Sequence, residues 1–82
     1  MATIKLDLVA GVWQSLGSIS FLAHNGSNTA LDMVAADSLP TGPVPESFLL
    51  ARSDTQHFLA PVSGGWYIRS VQTDSSFNYT EV

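Results

Sequence analysis

Cysteine is absent from this 82-residue chain, and charged side chains make up only 12% of its residues. The absence of cysteine excludes disulfide bonds, cysteine-ligated zinc and thiol nucleophiles. A domain of this size buries only about 60–65% of its unfolded surface, so we expect association with copies or partners to supply the missing stability. An ordinary soluble domain carries roughly 25% charged residues. A surface with about half that fraction is expected where other protein covers it.

Positive charge is especially scarce, because three cationic side chains stand against seven carboxylates, for a net charge of −4. Nucleic acids and anionic membrane surfaces are bound by basic faces, so we expect neither as a partner. No apolar run approaches the roughly 20 residues of a membrane span. The N-terminal residues alternate between polar and apolar and lack the continuous apolar stretch of a signal peptide. We therefore expect synthesis in a reducing cytoplasm without secretion.

Apolar residues recur with a period of two, which is the pattern of half-buried strands. Ile4, Leu6 and Leu8 alternate with polar residues, and similar runs follow at 18–21, 30–35, 48–50, 57–60, 66–69 and 77–80. Turn-forming residues bound most of these runs. The pattern predicts a single all-β domain over residues 1–82, built as a small antiparallel β-sandwich, jelly roll or barrel of about seven to eight short strands.

Glycine and proline predict where the chain turns. Asn25-Gly26 lies between two alternating runs and predicts a tight hairpin, and Ser63-Gly64-Gly65 predicts a second turn. Three prolines between 39 and 45 exclude a central strand there, so we expect a stiff surface connection available to a neighbouring subunit. The segment 77–82 is expected to be a final strand whose removal exposes an apolar sheet edge.

The residues that could carry chemistry form no known motif. His24 and His57 have no serine tied to them by a nucleophile elbow, and His24, Asp32, Asp37 and His57 match no calcium or zinc spacing. We expect both histidines to be surface or strand-end residues, Asp32 to face solvent from a strand, and Asp37 to form a turn. The sequence thus predicts no catalytic residue, no metal and no cofactor.

Aromatic residues near the turns allow two interpretations. Trp13 and Tyr67 are candidates for stacking on a sugar, as aromatics do in carbohydrate-binding modules. The alternation from Trp66 to Arg69 favours a simpler division. In that division Trp66 and Ile68 lie in the core, while Tyr67 and Arg69 face outward or into an interface.

One pattern extends over roughly residues 13–71. Its parts are Trp13-Gln14-Ser15-Leu16-Gly17, Asn25-Gly26-Ser27, Ala35-Ala36-Asp37-Ser38-Leu39-Pro40, Phe48-Leu49-Leu50 and Gly64-Gly65-Trp66-Tyr67-Ile68-Arg69-Ser70. This succession of a turn, an apolar return and a tryptophan strand resembles small β-structured virion proteins of tailed bacteriophages. The resemblance implies a sandwich-like fold, no catalysis, and a role in coating or joining parts of a virion.

We therefore expect a structural protein of a phage virion, foremost a small capsid decoration (cement) protein. Its expected partners are itself, as a trimer or other homo-oligomer, and the major capsid protein or other virion proteins. The candidate interface residues are Met1, Ile4, Leu6, Leu8, Pro40, Pro43, Pro45, Tyr67 and Arg69. Two alternatives stay open: a tail- or fibre-associated module that binds carbohydrate or a receptor, and a small acidic inhibitor of a host protein.

Overall fold

A computed structural model describes residues 3–26, 29–41, 47–51, 53–71 and 73–82. Within these ranges the regular elements are strands, and no helix there is long and apolar enough to cross a membrane. The strands are β1 (Thr3–Leu8), β2 (Gln14–Gly17), β3 (Phe21–His24), β4 (Leu31–Ala36), β5 (Phe48–Leu50), β6 (Thr55–Phe58), β7 (Gly65–Ser70) and β8 (Ser75–Glu81).

The strands form two four-stranded antiparallel sheets that pack as a sandwich. The first sheet has the order β1-β8-β3-β6 and the second has the order β2-β7-β4-β5. Strands 1 and 8, 2 and 7, 3 and 6, and 4 and 5 are partners. The chain is thus one long hairpin, with β4 and β5 at its tip, that has rolled up into two sheets. This is the arrangement of an eight-stranded jelly roll, and it confirms the predicted all-β sandwich.

The core lies between the two sheets and consists largely of the side chains that alternation predicts to face inward, although Ala35, also predicted to face inward, is exposed and Val34 is buried. On β4, for example, Leu31 and Met33 are fully buried, whereas Asp32 lies on the opposite face. Phe21, Phe58 and Trp66 form an aromatic cluster with ring centroids 5.1–6.2 Å apart. The buried core residues are Leu8, Leu16, Phe21, Ala23, Leu31, Met33, Leu50, Phe58, Trp66, Ile68 and Phe77.

The predicted hairpin at Asn25-Gly26 is wrong, because β3 and β4 belong to different sheets. Asn25 is fully buried, and neither residue has a positive φ. The Asn25 side chain instead donates through Nδ2 to the carbonyl oxygens of Thr29, Leu50 and Ala51, at 2.8, 3.0 and 3.2 Å. Asn25 therefore ties the β3–β4 connection to the β5–β6 connection, a role that the hairpin pattern does not reveal.

Two strand boundaries also differ from prediction. The run 18–21 is mostly the loop between β2 and β3, and the run 57–60 contributes only its first half to β6. Strand β2 was not predicted by alternation, because its sequence Gln14-Ser15-Leu16-Gly17 contains a single large apolar residue. Its pairing with β7 also shifts register between Ser15 and Gly17. The predicted turn at 63–65 is confirmed: Gly64 has a φ of 72°, and a Cβ there would overlap the Ala36 carbonyl.

Strand β8 occupies the interior of the first sheet, where it pairs with β1 along six positions and with β3 along four. The prediction that loss of this segment exposes one apolar edge therefore understates the effect of its removal on the sheet. Removal of β8 would separate β1 from β3 and divide the first sheet. Hydrogen bonds from β8 to two neighbours make it a structural centre of that sheet.

Candidate interaction surfaces

Large apolar side chains are exposed at the end of the sandwich that carries the loops after the even-numbered strands. Leu39 and Val82 are 58% exposed, Leu59 is 70% exposed, and Val62 is fully exposed. We call these four side chains the apolar end. Within the described part of these loops, Asp37 is the only charged residue. Burial of Val or Leu against another surface is favourable, so this end is suited to contact with protein.

Hydrogen bonds hold the loops of the apolar end in place. Ser20 accepts from the backbone N–H of Ala60 through Oγ at 2.8 Å and from that of Val82 through its carbonyl at 3.1 Å. Ser63 donates through Oγ to the Asp37 carboxylate at 3.0 Å. Loops from three different parts of the chain are thereby joined, so the exposed apolar side chains are presented on one ordered surface.

Sequence patterning did not identify the apolar end. The residues Leu59-Ala60 were interpreted as the second half of a strand, which would bury every other side chain. The available signal was the run Leu59-Ala60-Pro61-Val62, in which apolar residues do not alternate and proline blocks continuation of the ladder. The side chains of such a run are exposed, because a loop between strands has no inner sheet face that buries them.

The outer face of the second sheet holds the one ion pair among the described residues. Asp32 on β4 and Arg69 on β7 are direct cross-strand partners, and Arg69 donates through Nη2 to Asp32 Oδ2 at 2.7 Å. Their side chains are 10% and 13% exposed for Arg69 and Asp32, respectively. The Arg69 guanidinium also lies 5.0 Å from the centroid of the Trp13 ring. The pair is therefore shielded from water by Trp13.

This arrangement corrects two sequence-based assignments. Arg69 was a candidate interface residue and Trp13 a candidate for sugar stacking, yet they are only 8% and 5% exposed. One face of the Trp13 ring is occupied by the guanidinium. Both side chains stabilise the outer face of the second sheet and are not free to bind a partner. Tyr67, a candidate for both roles, is half-buried on the same face.

The remaining candidate interface residues differ in accessibility. Ile4 is 41% exposed, Leu6 is half-buried, and Leu8 is a core residue at 2% exposure. The Leu8 side chain is thus not exposed to a partner: it faces inward from the end of β1, opposite Ser75. Pro40 is half-buried in the β4–β5 connection. The other three candidates, Met1, Pro43 and Pro45, lie outside the described residues.

A cleft of about 510 Å³ lies where β5 and β6 form neighbouring edges of the two sheets. Its lining combines an aromatic base with polar groups: Leu49, Gln56, His57, Phe58, Leu59 and Trp66. Trp66 donates through Nε1 to the Leu59 carbonyl at 2.8 Å, which fixes the indole at the base of the cleft. Clefts with apolar walls and a few polar groups are typical ligand sites.

A second cleft, of about 570 Å³, opens at the other end of the sandwich. Asp7 and Asp74 line it together with hydroxyl-bearing residues 29, 73, 75 and 76. Asp74 accepts from the backbone N–H of Ala10 through Oδ1 at 2.9 Å. That carboxylate therefore joins the β1–β2 and β7–β8 connections. Among the described residues no group of three or more His, Asp or Glu side chains is placed to hold a metal.

The candidate catalytic and metal residues from the sequence are not brought together. His24 and His57 lie on the outer face of the first sheet, and His24 Nδ1 is 2.8 Å from Thr55 Oγ1. Asp32 lies on the outer face of the second sheet, and Asp37 lies in the β4–β5 connection. The described part of the chain therefore contains no hydrogen bond from either histidine to a serine or a carboxylate.

Comparison with known proteins identified no relative of this chain. No family model matches the chain, and no curated protein or solved structure matches it either. The topology of the fold and the chemistry of its surfaces must therefore support any functional proposal.

Proposed function

We propose that this protein is a structural protein of a bacteriophage particle, a small decoration protein that binds the capsid exterior through its apolar end. The observation that carries the proposal is the full exposure of Val62 beside Leu39, Leu59 and Val82 on loops fixed by hydrogen bonds. These side chains contribute little to the stability of the isolated domain. Their burial against a shell contributes about 1.5–3 kcal/mol for each fully covered residue.

Composition and fold support the same proposal. A chain with 12% charged residues has few groups that oppose close contact with other protein. Eight-stranded jelly rolls include viral capsid and lectin domains, an analogy that concerns fold alone. The resemblance of residues 13–71 to small phage virion proteins points in the same direction.

A receptor- or carbohydrate-binding module is the second candidate, and the β5–β6 cleft favours it. Phe58 and Trp66 provide an aromatic base there, and Gln56 and His57 provide hydrogen-bonding groups at its edge. In this alternative the ligand binds at the cleft and not at Trp13, whose ring is covered by Arg69. A ligand at the cleft would contact His57 and Leu59 and leave Val62, Leu39 and Val82 of the apolar end free.

The test uses particles of a phage that encodes this chain, prepared with and without its gene. Purified protein is added to the deficient particles, and bound protein is measured by sedimentation through a sucrose cushion. We expect saturable binding at a fixed ratio to the capsid protein, weakened about tenfold or more by Val62→Asp, since a carboxylate replaces a buried apolar contact. Val71→Asp is the matched control, because Val71 is 43% exposed at the opposite end of the sandwich.

Three results would contradict the decoration proposal. The protein could be missing from purified particles, it could fail to bind deficient ones, or Val62→Asp and Val71→Asp could bind equally well. Binding to a glycan array that is lost in His57→Ala, with particle binding unchanged, would identify the cleft as a separate ligand site. Thermal melts of each variant confirm that the domain remains folded.

A further inference from the structure

Strand β1 is the longest and most regular of the four sheet edges. It pairs with β8 over six consecutive positions without a register shift, whereas β6 has four residues, β5 has three, and β2 contains an irregularity. Thr3, Ile4, Lys5 and Asp7 are all exposed. An exposed edge of this kind can pair with a strand of another chain.

The hydrogen bonds of β1 indicate which backbone groups are directed away from β8. Gln14 donates through Nε2 to the Asp7 carbonyl at 2.8 Å, so this carbonyl is directed to the free edge. Because backbone groups alternate between the two sides of a strand, those of Thr3 and Lys5 are directed the same way. Any added antiparallel strand must therefore form its paired hydrogen bonds at positions 3, 5 and 7, and its N–H group takes the place of the Gln14 side chain at the Asp7 carbonyl.

We propose that two copies of this chain pair through β1, antiparallel, about a two-fold axis at Leu6. In this register Lys5 lies opposite the partner's Asp7, and Asp7 lies opposite the partner's Lys5. Ile4 lies opposite the partner's Leu8, and Leu6 opposite the partner's Leu6. The segment is self-complementary, because its two opposite charges stand at equal distances from Leu6. A two-fold interface requires this reciprocity.

Charge selects this register over its neighbours. A shift by two residues keeps the hydrogen-bonding positions in phase but places Lys5 opposite the partner's Lys5. The shift in the other direction places Asp7 opposite the partner's Asp7. Like charges directly opposite destabilise a strand pair, whereas opposite charges stabilise it. Within the described part of the chain, neither Lys5 nor Asp7 forms an ion pair, so both are available to the partner.

The dimer has a definite architecture. The two first sheets become one continuous sheet of eight strands, with β1 of each copy at the centre. The two apolar ends then face in opposite directions along the strands, so the dimer presents one docking surface on each side. This inference specifies a dimer, where the sequence-based expectation was a trimer or other homo-oligomer. It does not rest on the decoration proposal, because the apolar end takes no part in the β1 pairing.

Reversal of each charge tests the register. We expect Lys5→Glu and Asp7→Lys each to raise the dimer dissociation constant about tenfold or more, because two symmetry-related attractions become repulsions. The double variant Lys5→Glu/Asp7→Lys restores opposite charges and should recover wild-type association. Glu81→Lys is the control, since it changes the net charge as Asp7→Lys does but lies on β8. Sedimentation equilibrium across a dilution series measures all five proteins.

Amide hydrogen exchange of the wild-type protein provides a test that needs no variant. The N–H groups of Lys5 and Asp7 should exchange more slowly as the concentration rises, while those of exposed loops remain unchanged. A wild-type protein that remains monomeric at millimolar concentration would overturn the proposal. So would a dimer that is indifferent to both single reversals, or one that the double variant fails to restore. Particle binding by Val62→Asp is a separate readout, so the two proposals can fail independently.

Discussion

Replacement of Asn25 by Asp tests whether this one buried side chain joins the two connections. Three carbonyl oxygens surround Nδ2 at 2.8–3.2 Å, and the residue is fully buried. Only a donor satisfies that environment. Asn25→Asp has nearly the same shape but replaces the two N–H donors with an oxygen that repels the carbonyls when it is ionised.

The magnitude follows from the cost of ionising a buried carboxyl group. Burial raises the pKa of such a group by about 3 units or more above its unfolded value near 4. Each unit corresponds to about 1.4 kcal/mol, so ionisation of the introduced carboxyl group should contribute about 4 kcal/mol to the cost of Asn25→Asp at pH 7, in addition to the lost hydrogen bonding. A domain of 82 residues has a total stability of about 4–12 kcal/mol. The expected loss is therefore a large share of that stability.

The pH dependence has a definite sign. Since the folded-state pKa of the introduced carboxyl is raised, the protonated form is favoured in the folded protein. The stability difference from wild type should therefore be smallest below pH 4, grow as pH rises towards the folded-state pKa, and then level off. Below pH 4 the remaining cost is the lost hydrogen bonding, about 1–2 kcal/mol.

Urea unfolding between pH 3 and 8 measures this difference, with fluorescence of the buried Trp13 and Trp66 as the signal. Asn78→Asp is the matched control, because Asn78 lies on the outer face of the first sheet opposite Lys5. That variant should be nearly neutral at every pH. A stability difference for Asn25→Asp that does not vary with pH would refute the role assigned to Asn25.

Three further predictions concern the stability of the two sheets and their connections. In urea unfolding, Gly64→Ala should lower the free energy of unfolding clearly more than Gly11→Ala. Both positions have a positive φ, which costs a non-glycine residue about 1–2 kcal/mol. Of the two, only Gly64 packs against backbone atoms that an added Cβ would overlap. Arg69→Ala should cost about 3 kcal/mol by leaving Asp32 unpaired, whereas Arg69→Met/Asp32→Leu should recover most of that loss; equal losses would contradict this. Truncation before Ser75 should abolish the β-sheet circular dichroism spectrum, because β8 is interior to its sheet.

Alternation predicted the fold class because it reports which residues face a core. Leu31, Met33 and Ile68 are fully buried as the pattern requires, and β1, β4 and β7 lie close to their predicted positions. The same pattern cannot report which strands are partners. Asn25-Gly26 has the composition of a hairpin turn, yet the fold uses Asn25 to join connections of different sheets.

The surfaces were less predictable for a related reason. Alternation predicts exposure for Arg69, and Trp13 was a candidate for sugar stacking as an aromatic residue near a turn, but each of these side chains covers the other. That contact depends on the β2–β7 pairing, which brings together segments more than 50 residues apart in sequence. Val62 shows the converse, since an apolar side chain in a loop is fully exposed. Only the three-dimensional arrangement distinguishes these cases.

The rolled-hairpin topology has a consequence for the order in which the chain folds. Among the strands that the structure describes, β4 and β5 are the only consecutive ones that pair, whereas the other pairings join strands that are distant in sequence. Once β4 and β5 meet, each following pair closes only a short additional stretch of chain, which greatly reduces the entropy cost of the long-range contacts. We therefore expect folding to begin at this tip and to reach β1 and β8 last. The connection that carries Leu39 would then influence the folding rate as well as the docking surface.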